Sequence, residues 1–168
     1  MKKFFLLILF ISIFSFAWTQ NYKIQAILTY NFTKYLTWPE DTLETFKIGV
    51  CGNKEYLNEI KIISKNYKVS EREIEVIDFN KTENIRECHI CYISSEKKDE
   101  IEAISSRIDG LKSLVITSDF GKVIPGISIN FIIKDSKQQF EIYPSTILKR
   151  DIKINPELLD MGIIKKTE

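Results

Sequence analysis

The chain has 168 residues, with 24 Lys and Arg against 23 Asp and Glu and one histidine, giving a formal net charge of +1. That balance excludes the strongly basic surface on which nucleic-acid binding depends. Three cysteines are too few, and of the wrong parity, for a protein built on a disulfide framework, so the core must come from packing.

Met1-Lys2-Lys3, followed by an almost unbroken apolar run from Phe4 to Phe16, has the form of a secretory signal peptide. The run is shorter than the roughly 20 residues a membrane-spanning helix needs. Ser15-x-Ala17 and Ala17-x-Thr19 offer cleavage before Trp18 or Gln20, and the first cysteine, Cys51, lies too far along to carry a lipid at the cut. Residues 1–20 are therefore expected to leave, and 21–168 to remain as one soluble, exported domain. Lys2 and Lys3 go with the leader, which leaves 22 basic side chains against 23 acidic ones, a net charge of −1. No Pro, Gly or Ser-rich linker divides that length.

Apolar residues at three- and four-residue steps predict an amphipathic helix over 22–36, stopped by Trp38-Pro39. A strand over 46–51 follows, closed by Gly52-Asn53, and helical spacing returns over 54–64. Alternation predicts a half-buried strand at 73–77, and a nearly all-apolar run predicts a covered one at 89–93. A charged helix over 96–108 leads to a buried strand at 114–117, and then to a loop over 118–126. Strands at 127–133 and 139–143, separated by 134–138, predict an antiparallel hairpin. Pro144 opens a short helix, and a last helical turn follows Asn155-Pro156. The fold class is α/β, a mostly parallel sheet flanked by helices with an antiparallel hairpin near the C-terminus.

Cys88-His89-Ile90-Cys91 is the densest group of reactive residues and holds the only histidine. Extended backbone sends Cys88 and Cys91 to opposite faces, so the pair is poorly placed to chelate one metal, and no metal or cofactor is expected. His89 and Cys91 would share a face, which opens a thiol–base reading. A buried strand histidine beside small apolar cysteines is the plainer expectation. Neither a Gly-x-Ser-x-Gly elbow nor a phosphate-binding glycine loop is present, so no catalytic residue is assigned and the chain is not expected to be an enzyme. Gly52 and Asp119 end strands where the crossover of an α/β sheet offers a crevice, which supports an alternative reading as a periplasmic small-ligand sensor. Tyr22, Tyr30, Phe32, Tyr35 and Trp38 are too many for one apolar stripe, so some are expected on the surface, either as partner contacts or as a rim that packs under the final segment.

Three stretches together resemble the YfiR family of periplasmic regulators. They are Ile24 to Pro39, with Tyr30-Asn-Phe-Thr-Lys-Tyr35 ending in Trp38-Pro39; Phe46-Lys-Ile-Gly-Val-Cys-Gly52 with the later Glu87-Cys-His-Ile-Cys-Tyr-Ile93; and the closing block from Gly126 through Gln139-Phe-Glu-Ile-Tyr143 and Lys153-Ile-Asn-Pro156 to Leu158-Leu159. The resemblance implies a non-catalytic protein that binds and restrains a membrane diguanylate cyclase, or feeds a sensor kinase, so that its release raises cyclic di-GMP and favours biofilm growth. It also implies an OmpA-like outer-membrane lipoprotein as a sequestering partner. A second copy of the chain is a further candidate. Tyr30, Tyr35, Trp38, Leu158 and Leu159 are the candidate partner surface. Redox state is a lever in that family, and Cys88 matches one of its cysteine positions. The matching partner position holds Gly49, so the nearest thiol, Cys51, makes Cys51–Cys88 the candidate disulfide, strained by its displacement along the strand.

Overall fold

The computed structural model describes residues 21–121 and 125–166; the expected signal peptide at 1–20 lies outside them. Residues 21–32 are helical (α1), and the chain then turns through 33–35 into a two-residue strand, Leu36–Thr37 (β1). The first long strand, Phe46–Cys51 (β2), is buried apart from half-covered Lys47. Asn53 caps the helix that follows, Lys54–Asn66 (α2), by accepting the Tyr56 N–H, with Glu55 in its first turn and Lys65 in its last.

A short hairpin, Lys68–Val69 (β3) and Arg72–Asp78 (β4), precedes the fully buried Ile90–Ile93 (β5). A 3-10 segment, Ser95–Glu100, then winds into Ile101–Ile108 (α3) and leads to Leu114–Ser118 (β6). The C-terminal part comprises Ile129–Lys134 (β7), Lys137–Ile142 (β8), Pro144–Leu148 (α4), Lys153–Ile154 (β9), Pro156–Met161 (α5) and Ile163–Ile164 (β10).

The strands form an eight-stranded sheet in the order β10-β8-β7-β6-β5-β2-β4-β3, and β1 pairs separately with β9. From β4 to β7 every pairing is parallel, whereas β8 and β3 join antiparallel. The alternation expected of a doubly covered sheet is therefore realised, hairpin included.

Side-chain alternation sorts the core into two layers. On one face Phe46, Ile48, Val50, Ile90 and Tyr92 pack under α1 and α2 through residues such as Ala26, Phe32, Tyr56 and Ile60. On the other face Cys51, Cys91, Ile93 and Val115 pack under Ile104 and Ile108 of α3. Each large apolar side chain buried in this way stabilises the fold by about 1.5–3 kcal/mol, so both helical layers are needed to keep β2 and β5 out of water.

The differences from sequence expectation lie at element ends. Two-residue turns at Ser70-Glu71 and Asp135-Ser136, all four with positive φ, join β3 to β4 and β7 to β8. Such turns match the right-handed strand twist, so the C-terminal strands run on to Lys134 and resume at Lys137 rather than leaving a five-residue loop. Helix α1 stops short of 36 because Leu36 and Thr37 pair with Ile154 and Lys153. The expected helix over 96–108 begins as a 3-10 segment, with Ser94 accepting the Glu96 N–H.

Gly49 faces the α3 side, where an added Cβ would lie 2.1 Å from Phe79 Cε2. The Phe79 ring thus fills the space that a side chain at 49 would take. Gly49→Ala should cost about 2–3 kcal/mol through forced repacking, measured as a lowered urea midpoint with an unchanged m-value.

Candidate functional site

The densest polar construction gathers at the amino-terminal ends of β2 and β5. Here the chain leaves α1 through Trp38-Pro39 and meets His89, the residue before β5. Trp38 Nε1 donates to the His89 carbonyl at 2.9 Å, and the His89 N–H donates to the Lys47 carbonyl, also at 2.9 Å. The His89 ring is 5 % exposed and stacks on Phe46 with centroids 4.3 Å apart; Trp38 meets the same Phe46 edge-on at 5.0 Å.

The ring nitrogens carry distinct duties. The Lys47 N–H donates to His89 Nδ1 at 2.8 Å, so Nδ1 must be the unprotonated nitrogen. The Nε2–H then donates to Asp41 Oδ2 at 2.9 Å. Asp41 also accepts from Arg72 Nη1 at 3.0 and 3.1 Å and from the Leu43 N–H at 2.8 Å. Burial would push the Asp41 carboxyl up, but the hydrogen bonds from His89, Leu43 and Arg72 outweigh it and hold the pKa at about 2. Burial pushes the His89 imidazole below its ordinary value despite the facing carboxylate. His89 is thus neutral at neutral pH, a structural pin rather than a charged ligand.

Beside this pin lies a cleft of about 440 Å3, lined among others by Trp38, Leu43, Lys47, His89 and Lys112. A larger cleft, about 1080 Å3, opens between Asp109–Lys112, Gly126, the end of α4 and Lys165-Lys166, and Lys112 lines both. Both adjoin the amino-terminal ends of the parallel strands. Near Gly52, where a crevice is expected, Ser94 lies against Gly52 and Asn53 Nδ2 donates to Glu96 Oε1 at 2.5 Å. At the other carboxyl-end position Asp119 reaches outward to Lys98 Nζ at 3.6 Å. Deeper in, Gln25 of α1 donates to Ser118 Oγ and Gln138 Oε1 and accepts from Tyr92 OH, while Tyr56 stacks on Tyr92 at 3.5 Å.

All three cysteines are buried, free thiols on the α3 side of the sheet. Cys88 and Cys91 do not point to opposite faces as expected, because Cys88 precedes β5 and escapes strand alternation; both thiols pack in the α3 layer, and Cys88 Sγ donates to the Ile90 carbonyl at 3.0 Å. The adjacent Cys88 thiol and burial push Cys91 well up, and burial raises Cys51. His89 turns the opposite way, onto Phe46, and among the described residues no hydrogen bond links it to a thiol, so the pairing of His89 with Cys91 is corrected. The parallel register sets Cys91, not Cys88, opposite Gly49, and Cys51 opposite Ile93. Cys88 thus lies five residues along from Cys51, about 16 Å at strand spacing, against the ~7 Å limit for a disulfide. The Cys51–Cys88 pairing gains no support from this register.

Of the candidate surface residues, Leu158 is fully buried in the core and presents nothing to a partner, because Pro156 and the Asn155 cap turn the first face of α5 inward. Leu159, Tyr30, Tyr35 and Trp38 are half-buried. Tyr30 packs on Tyr67 with ring centroids 4.9 Å apart. Ile27, one turn earlier on α1, and Tyr67 remain 43 % and 52 % exposed. Sequence periodicity gave no sign of Tyr67, which joins the patch only through the end of α2. Among the described residues no helix is long and apolar enough to cross a membrane, and no three His, Cys, Asp or Glu side chains are grouped to hold a metal.

A family model described as YfiR/HmsC-like matches residues 22–162. No curated protein matches the chain at a significant level.

The pin makes stability depend on pH. His89 resists a proton that the unfolded chain accepts, so its contribution is full above about pH 6.5 and falls as pH drops through that range toward the folded value. Asp41 contributes above about pH 3.9 and loses its contribution only as pH falls to about 2. Asp41→Asn should therefore cost about 1–2 kcal/mol at pH 7, discounted for a side chain 27 % exposed. The gap to wild type should close toward pH 2, read from urea midpoints across the pH range. A separate measurement concerns the thiols: all three should react with Ellman's reagent only after denaturation, and a rapidly labelled thiol in the native protein would contradict the packing described.

Proposed function

The chain belongs to the YfiR/HmsC-like family, a family of regulators rather than enzymes, and from that premise we propose that it is a periplasmic protein that binds and restrains a membrane signalling enzyme, a diguanylate cyclase. The observation that carries this reading is the family match across residues 22–162, nearly all of the described chain. The fold agrees with it in kind. The carboxyl ends of β2 and β5, where open α/β sheets usually take their ligands, are occupied by the protein's own Ser94, Asn53 and Glu96. Function by surface contact fits a crevice filled in this way.

The surface that best suits a protein partner is the α1 patch of Ile27, Tyr30 and Tyr67, with Lys34 above the Tyr30 ring at 5.1 Å. Exposed aromatic and aliphatic side chains with an adjacent cation have the composition of contact hot spots. Tyr35, Trp38 and Leu159 border the fold's own interior, and their exposed edges are secondary contacts. A sensor kinase as the membrane enzyme, an OmpA-like lipoprotein as a sequestering partner and a second copy of the chain are alternative occupants of these surfaces. A second reading, a periplasmic small-ligand sensor, is favoured by the cleft beside Trp38 and His89. A thermal-shift screen with nucleotides and aromatic metabolites separates the two.

Tagged protein recovered from detergent-solubilised membranes should bring down a membrane signalling enzyme, and deletion should raise cellular cyclic di-GMP. Ile27→Glu, at an exposed position of the patch, should weaken that capture about tenfold or more, the loss typical of a contact hot spot, with little change in the unfolding midpoint. Recovery of no such enzyme, together with unchanged cyclic di-GMP, would remove the cyclase reading.

A further inference from the structure

Arg150 follows α4 in Lys149-Arg150-Asp151 and is 7 % exposed. Its Nε donates to the Leu111 carbonyl at 2.9 Å, Nη1 to Ser128 Oγ at 2.7 Å and Nη2 to the Ile108 carbonyl at 3.5 Å. All three acceptors are neutral. The two carbonyls belong to the C-terminal end of α3 and its exit, where the helix dipole supplies only partial negative charge. Among the described residues no carboxylate stands within ion-pair distance of the guanidinium.

A buried cation that no carboxylate contacts, with Asp109 acting on it only at longer range, is costly. Moreover, a guanidinium carries five N–H donors, and the three bonds above leave two of them without an acceptor among the described residues. Gly126, at φ +89°, lies beside it, where an added Cβ would sit 3.4 Å from Arg150 Nη2, and both residues line the larger cleft.

Other cations surround the same space. Lys112, Lys149, Lys165 and Lys166 line it with Arg150, opposed by Asp109 and Asp151. Lys165 is engaged with Glu141 at 3.3 Å, but Lys112, Lys149 and Lys166 have no ion-pair partner among the described residues. The chain as a whole is close to neutral, so this concentration of unpaired positive charge is local.

We propose that this cleft is a binding site for a phosphate-class dianion, either on a free small molecule or on a lipid headgroup. The two spare Arg150 N–H groups supply a planar fork matched to tetrahedral oxyanions, and the lysines supply point charge at the rim. The site goes beyond the restraint of a membrane enzyme and does not depend on it: it is chemically distinct from the aromatic patch on α1.

The test titrates inorganic phosphate into the purified protein at low ionic strength, following amide shifts by NMR. Saturable binding is expected, weakened about tenfold or more in Lys149→Ala/Lys166→Ala and weakened by added salt. Both lysines are exposed, so the variant should keep the wild-type unfolding midpoint; Arg150→Lys, which retains charge and loses the fork, is the second variant. Sedimentation with phosphatidylcholine vesicles, with and without phosphatidic acid, identifies the source. Pelleting only with phosphatidic acid, lost in the lysine variant and competed by phosphate, marks a lipid headgroup; phosphate binding without pelleting marks a soluble ligand. Absence of saturable binding at millimolar phosphate, or binding unchanged in the lysine variant, overturns the proposal.

Discussion

The hydrogen bond from the Lys47 N–H to His89 Nδ1 anchors the start of the central strand pair, and much of the molecule is arranged around it. His89 stands where β5 is about to pair with β2 on one side and β6 on the other: its N–H reaches Lys47, and its carbonyl receives both Leu114 N–H and Trp38 Nε1. One residue thereby joins the exit of α1, two neighbouring strands and, through Asp41, the Arg72 end of β4. The geometry works only with a neutral imidazole, because a proton on Nδ1 would oppose the Lys47 N–H. Burial supplies that neutrality. A central β2–β5 pairing fixed in this way sets which side chains face α1 and α2 and which face α3, since a slip of one residue would exchange the faces.

The parts of this arrangement that follow from periodicity were legible in the sequence. The apolar run at Ile90-Cys-Tyr-Ile93, the helical spacing of Leu57, Ile60 and Ile63, and the closing hairpin all place themselves by period and composition. What periodicity does not encode is a pairing two residues long. β1, β9 and β10 have no pattern of their own; they exist because Leu36, Ile154 and Ile163 find backbone partners once the larger elements have packed. Leu158 illustrates the same limit, since its turn into the core is decided by the Asn155 cap and Pro156 ahead of it.

The cysteines show how far a local rule carries. Strand alternation describes Cys91 correctly but fails for Cys88, which lies outside the strand by two residues and brings its thiol round to the same layer. Register is likewise a tertiary quantity: no feature of Phe46-Lys-Ile-Gly-Val-Cys51 states that Gly49 will face Cys91. Once that pairing is fixed, Phe79 occupies the space above Gly49. A position where the resemblance led one to expect a thiol is thus used here for aromatic packing.

The same packing decides where open space remains. In a doubly wound sheet the crevice outside the carboxyl ends of the strands is the usual place for a ligand, yet here Gln25 from α1 binds Ser118 and Tyr92 there, and the Tyr56 ring lies flat on Tyr92. Those groups satisfy one another, so a ligand would have to displace hydrogen bonds already made in a buried setting. Among the described residues, two clefts lie at the amino-terminal ends. Lys112 borders both the cleft beside His89 and the cleft beside Arg150. A charge bound at either side therefore acts on the same lysine, and the loop joining α3 to β6 is the element through which the two halves of that edge are physically connected.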